Sequence, residues 1–73
     1  MKDKMRASEI KPGQIWRSNQ DGAEWLVTKT YRELFDFYIV LRKIGGAESD
    51  VQRLQAKQGP DGMNLPGFTL VEG

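Results

Sequence analysis

The seventy-three residues include no His and no Cys, so the commonest general base, the usual zinc ligands and every thiolate nucleophile are missing. Ser8, Ser18 and Ser49 stand in tail or turn positions with no base close in sequence, and they read as capping or solvated turn residues. Glu33, Asp36, Glu48 and Asp50 carry the oxygen donors that hold Mg²⁺ or Ca²⁺ or pair as acid and base. Their spacing fits no EF-hand loop, and Asp50 is as well placed to cap a helix, so solvated loop positions are expected. Gly59, Gly62 and Gly67 fall in Gly-Pro-Asp-Gly-Met-Asn-Leu-Pro-Gly, which lacks the Lys-Ser/Thr end of a phosphate loop and the G-x-G-x-x-G order of a dinucleotide turn. The expectation is a chain that is not an enzyme and needs no metal or small-molecule cofactor.

Binding chemistry is better represented. Arg17, Arg32, Arg42 and Arg53 interleave with Trp16, Tyr31 and Tyr38, the mixture that stacks bases and holds phosphate on single-stranded nucleic acid. Ordinary cation–π contacts and ion pairs with Glu24, Glu33 and Asp36 account for the same pattern. Eleven basic and ten acidic side chains leave a net charge of +1, far from the balance of a dedicated nucleic-acid binder. Residues 1–17 hold five positive groups (Lys2, Lys4, Arg6, Lys11, Arg17) against Asp3 and Glu9. The first seven residues therefore read as a flexible basic arm, and 8–73 as one small domain.

The elements that position these groups follow from turn chemistry and side-chain type. Lys11-Pro12-Gly13 marks the start of ordered chain. Gln14 to Arg17 and Glu24 to Thr30 are β-prone runs, separated by a polar segment ending in Asp21-Gly22, and together read as a hairpin. Tyr31 to Leu34 is taken as a connection. Phe35 to Ile44, dense in aromatic and β-branched residues and closed by Gly45-Gly46, reads as a central strand.

The segment 48–58 admits two readings. Val51, Leu54 and Gln58 share a helical face and Gly59-Pro60 would stop a helix, whereas three strands need a further neighbour. A strand is preferred, with a short helix around 49–58 as the alternative. After the Gly59 to Gly62 turn, Phe68 to Glu72 reads as a terminal strand. The fold class is mainly β, with four to five antiparallel strands.

Strand alternation raises a functional question. Phe35, Phe37, Ile39 and Leu41 share one face of the central run, which leaves Tyr38, Val40, Arg42 and Ile44 on the other. A chain of this length holds a single core. Either the 45–67 region, which has to pack somewhere, covers the second face, or that face is a partner surface.

Lys11 to Trp16, the polar hairpin, Trp25 to Thr30 and the Phe37 to Leu41 strand resemble the opening of small SH3-like barrels. These include ribosome- and transcription-associated modules and the barrel of plasmid-addiction ribonuclease toxins. The resemblance spans residues 11–43 and implies an SH3-like barrel or half-barrel, with no site residue carried over.

The function expected is a non-catalytic binding or regulatory module. Trp16, Arg17, Tyr38, Val40, Arg42 and Arg53 would hold a protein partner or a second copy of the chain, with single-stranded nucleic acid as the alternative ligand. No apolar run approaches the ~18 residues that span a bilayer, and no apolar stretch follows the basic N-terminus as in a secretory signal. A cytoplasmic protein is expected, without membrane contact.

Overall fold

A computed structural model describes residues 9–60 and 62–72 of the chain; the basic arm over 1–7 and Ser8 lie outside the described residues. Strand β1 (Ile15–Ser18) and strand β2 (Glu24–Glu33) form the expected hairpin. Its loop closes through Gly22, whose φ of 80° suits glycine, and the Gly22 amide donates to the Ser18 carbonyl at 2.8 Å. A two-residue turn, Leu34-Phe35, leads to strand β3 (Asp36–Lys43). Strand β4 (Val51–Gln55) pairs with β3; a small hairpin of β5 (Lys57–Gly59) and β6 (Gly62–Asn64) follows; and β7 (Phe68–Glu72) returns beside β1. The main sheet is antiparallel, in the order β4-β3-β2-β1-β7, with β5-β6 as a separate pair. The sheet is not closed, and no helix occurs among the described residues.

Two sequence expectations are corrected in detail. Tyr31 to Glu33 is strand, continuing β2 to the Leu34-Phe35 turn, because Tyr31 and Arg32 find partners in Tyr38 and Phe37. Phe35 does not share the buried face of β3: it sits in the turn and is 99% exposed. The 48–58 segment forms strand, as preferred over the helix, in β4 and the start of β5, after a turn at 48–49. Within it Leu54 pairs with Ile39 and packs against the core, while Val51 pairs with Arg42 and stays exposed. The opposite placement of Val51 and Leu54, which makes a weak strand pattern in isolation, suits an edge strand with one covered face.

The core lies on one face of the sheet. Trp16, Trp25, Val27, Ile39 and Leu41 supply it from β1, β2 and β3, and Ile10, Ala56 and Leu65 close it from outside the main sheet. Ala56 is held in place by its amide, which donates to the Phe37 carbonyl at 2.8 Å. Met63, on β6, packs against the same cluster. The 56–65 segment thus covers the core face rather than the face of Tyr38 and Val40.

Gln14 is the buried polar member. Its Oε1 accepts from the Lys11 amide at 3.1 Å and from Trp16 Nε1 at 3.2 Å, and its Nε2 donates to the Glu9 carbonyl at 3.0 Å. One side chain therefore satisfies the Trp16 indole and fastens the 9–11 segment over the core, where an unpaired buried amide would cost about 1–3 kcal/mol.

Two expected outcomes follow from this packing. Leu41 is fully buried, and its truncation to Ala costs about 2–5 kcal/mol, close to the whole ~3–5 kcal/mol that one small core supplies. Leu41→Ala is accordingly expected to be largely unfolded at room temperature by far-UV circular dichroism. Leu34 has a φ of 58°, a left-handed conformation unfavourable for a side chain with a Cβ. Leu34→Gly is expected to raise stability by about 0.5–1 kcal/mol in urea unfolding, the relief of that strain less the backbone entropy glycine loses.

Candidate cationic and aromatic sheet face

The face of the sheet opposite the core is built from three cross-strand rows. Tyr31, Tyr38 and Gln55 form the row nearest the Leu34-Phe35 turn; Lys29, Val40 and Arg53 form the next; Ile15, Leu26, Arg42 and Val51 form the third. None of these residues is buried.

A bulge in β2 creates this arrangement. Val27 pairs with Leu41 and Lys29 pairs with Val40, so Thr28 is the extra residue. Without it, strict alternation from Trp25 and Val27 would carry Lys29 and Tyr31 onto the core face. With it, the phase changes: Thr30 joins Ile39 on the covered side, and Lys29 and Tyr31 turn outward. The Thr28 hydroxyl donates to the Val40 carbonyl at 3.3 Å, within the irregular stretch.

The side chains of the first two rows form a connected cluster. The Tyr31 and Tyr38 rings stack with centroids 5.5 Å apart and planes inclined by 27°. The Arg53 guanidinium lies 5.0 Å from the Tyr38 ring centroid, and its Nη1 donates to the Tyr31 hydroxyl at 3.1 Å. Lys29 Nζ lies 5.7 Å from the Tyr31 centroid. The hydrogen bond to Tyr31 holds Arg53 above the ordinary guanidinium value, so it remains a cation. Gln55 Nε2 donates to Asp36 Oδ1 at 2.9 Å, at the edge of the cluster. Among the described residues, no carboxylate lies at ion-pairing distance from Lys29, Arg42 or Arg53.

Of the six residues expected to form a partner surface, Tyr38, Val40, Arg42 and Arg53 come together on this face. Arg17 lies at its far end, where its Nη2 is 3.6 Å from Glu24 Oε2 on the adjacent strand. Trp16 belongs to the core, 5% exposed, with its indole committed to Gln14. Lys29 and Tyr31 are the members that alternation alone misses; the aromatic and cationic character of Tyr31 and its neighbours is visible in sequence, but the bulge that turns them outward is not.

The remaining candidates for chemistry have local roles. The Ser18 hydroxyl accepts from the Gln20 amide at 3.2 Å. Asp50 Oδ2 accepts from the Ala47 amide at 2.9 Å, in a bend where a Cβ on Gly46 would lie 2.6 Å from that oxygen. Among the described residues, no three His, Cys, Asp or Glu side chains group as a metal site, and no helix is long and apolar enough to cross a membrane.

Stacked and cationic contacts on a sheet surface are coupled in energy. A double-mutant cycle on Tyr31→Ala and Tyr38→Ala, followed by urea unfolding, is expected to give a coupling of about 0.5–1.5 kcal/mol, with each single variant still folded. Comparison of the chain with protein-family models, with curated proteins and with solved structures finds no match.

Proposed function

We propose that the protein is a non-catalytic binding module whose outer sheet face, centred on Tyr38, Val40, Arg42 and Arg53 with Tyr31 and Lys29, holds an acidic protein partner. The observation that carries this reading is the openness of that face: β4 extends the sheet in its own plane and the 56–65 segment packs on the opposite side. Tyr, Arg and aliphatic side chains are the composition of interface centres. Three cations without a described carboxylate partner call for acidic groups from outside.

Self-association through this face is disfavoured on the same grounds. A two-fold contact sets identical patches together, which would bring Lys29, Arg42 and Arg53 against their own copies. Single-stranded nucleic acid is the second reading, favoured by the same unpaired cations beside two tyrosines. Against it, the Tyr31 and Tyr38 rings already stack on each other and carry Lys29 and Arg53, so bases would have to displace contacts the chain makes with itself.

For the fold, the finer reading is an SH3-like half-barrel. Its support is the strand order, with the last strand returning beside the first, and the approach of the two edge strands. Gln52 of β4 and Phe68 of β7 line one cavity of about 480 Å³ together with Trp25 and the 18–21 loop. A reducing cytoplasm suits a chain without Cys.

Selection from a displayed random-peptide library tests the functional reading. Peptides that bind are expected to combine Asp or Glu with apolar residues, and Tyr38→Ala with Arg42→Ala is expected to weaken binding at least about tenfold. Mixed-sequence oligonucleotides binding at low salt, with a steep loss on adding salt and no peptide selected, would replace this reading with the second.

A further inference from the structure

The turn between β2 and β3 breaks three local rules at once. Leu34 occupies a left-handed conformation, φ 58°, in a two-residue hairpin turn where glycine fits best. Leu34 and the adjacent Phe35 are 86% and 99% exposed, the most exposed large apolar side chains among the described residues. Directly behind them Glu33 and Asp36 face each other across the last strand pair, and like charges in that position repel. Neither carboxylate has an ion-pair partner among the described residues, and neither does Arg32. Each feature costs stability by itself, and such departures from local consistency concentrate where a surface has another use.

Beside the turn lies a groove of about 570 Å³ between Ile10, Arg32, Phe37, Gln58 and Met63, with Glu9 on its rim and Leu34 and Phe35 at its mouth. Phe35 borders the groove but does not fill it, since its ring stands in solvent.

We propose that two copies of the chain associate turn to turn, each Phe35 entering the groove of the other and each Arg32 facing the partner's Glu33 and Asp36. A two-fold contact needs a self-complementary patch, and this end of the molecule is one. It carries both a projecting ring and a groove with Ile10, Phe37 and Met63 in its wall beside polar Arg32 and Gln58, and both an unpaired cation and the carboxylates to meet it. An anionic membrane surface does not fit, because the Glu33 and Asp36 pair sits immediately behind the apolar tip and would oppose the headgroup charge. Each buried Phe contributes on the order of 150–250 Å², so two turns in contact form an interface at the small end of the specific range, below about 1,200 Å². The dimer is therefore a weak one, exchanging with monomer at micromolar concentrations or above.

Sedimentation velocity over a concentration series, from about 10 μM to about 1 mM to bracket an affinity of that order, reads the proposal. The chain is expected to shift from monomer to dimer across the series. Phe35→Ser, at a solvent-exposed turn position, is expected to keep the far-UV spectrum of the fold and to weaken association at least about tenfold. Arg32→Glu is expected to weaken it as well, and Arg32→Glu combined with Glu33→Arg to restore it. The Tyr38→Ala, Arg42→Ala double variant is expected to dimerise normally, which separates this contact from the outer sheet face. A chain that stays monomeric at the top concentration, or a folded Phe35→Ser variant that associates as tightly as the original, would overturn the proposal.

Discussion

One extra residue decides what the outer face of this sheet carries. Antiparallel pairing holds Val27 opposite Leu41 and Lys29 opposite Val40, with Thr28 between them unpaired. Everything on β2 after that point is rotated by half a period relative to what precedes it. Before the bulge, Trp25 and Val27 point into the core; after it, Thr30 takes the inward place and Lys29 and Tyr31 point to solvent. The stacked tyrosines, the Arg53 bridge and the open cationic surface depend on this change of phase. A strand of unbroken alternation would bury a lysine under the sheet, where an unpaired charge cannot be tolerated.

The second constraint is the amount of chain available. A domain of this size covers one face of a five-stranded sheet and no more. The cover is made economically: Ile10 from before β1, Ala56 at the end of β4 and Leu65 after β6 close over Trp16, Val27, Ile39 and Leu41. Gln14 ties the entering segment down through three hydrogen bonds, two of them to backbone. Those segments are committed to the core face, and among the described residues Tyr38, Val40 and Arg42 are left unburied. The exposure of the outer face thus follows from where the core formed.

Much of the architecture was legible in the residues. Turn chemistry at Lys11-Pro12-Gly13, Asp21-Gly22 and Gly45-Gly46 brackets the strands, and the aromatic and β-branched content of the run from Phe37 to Leu41, with its flanking glycines, favours a strand over a buried helix. The strand at Val51 to Gln55 was legible only through the need for a sheet neighbour, since the spacing of Val51 and Leu54 fits a helical face and not strand alternation. The site was half visible. Tyr38, Val40 and Arg42 follow from alternation and Arg53 from the interleaving of arginines with aromatics, but β1 is too short for its pattern to say which face is inward, and Trp16 proves to be core. Tyr31 reads as connection in the sequence because a tight turn at Leu34-Phe35 defies turn propensity: leucine does not favour the positive φ that Leu34 adopts.

The pairing of β7 with β1 bears on how the chain acquires its structure during synthesis. Strand β1 lies inside the sheet, between β2 and β7, so one of its edges has no partner until residues 68–72 have left the ribosome. At the ~5–20 residues per second of translation, the β1–β4 meander would wait about 1–3 s with that edge open and with Trp16 incompletely covered. Formation of the sheet is thereby tied to a strand some fifty residues downstream of β1, and the interval before it docks is when an emerging copy is most exposed to pairing with another.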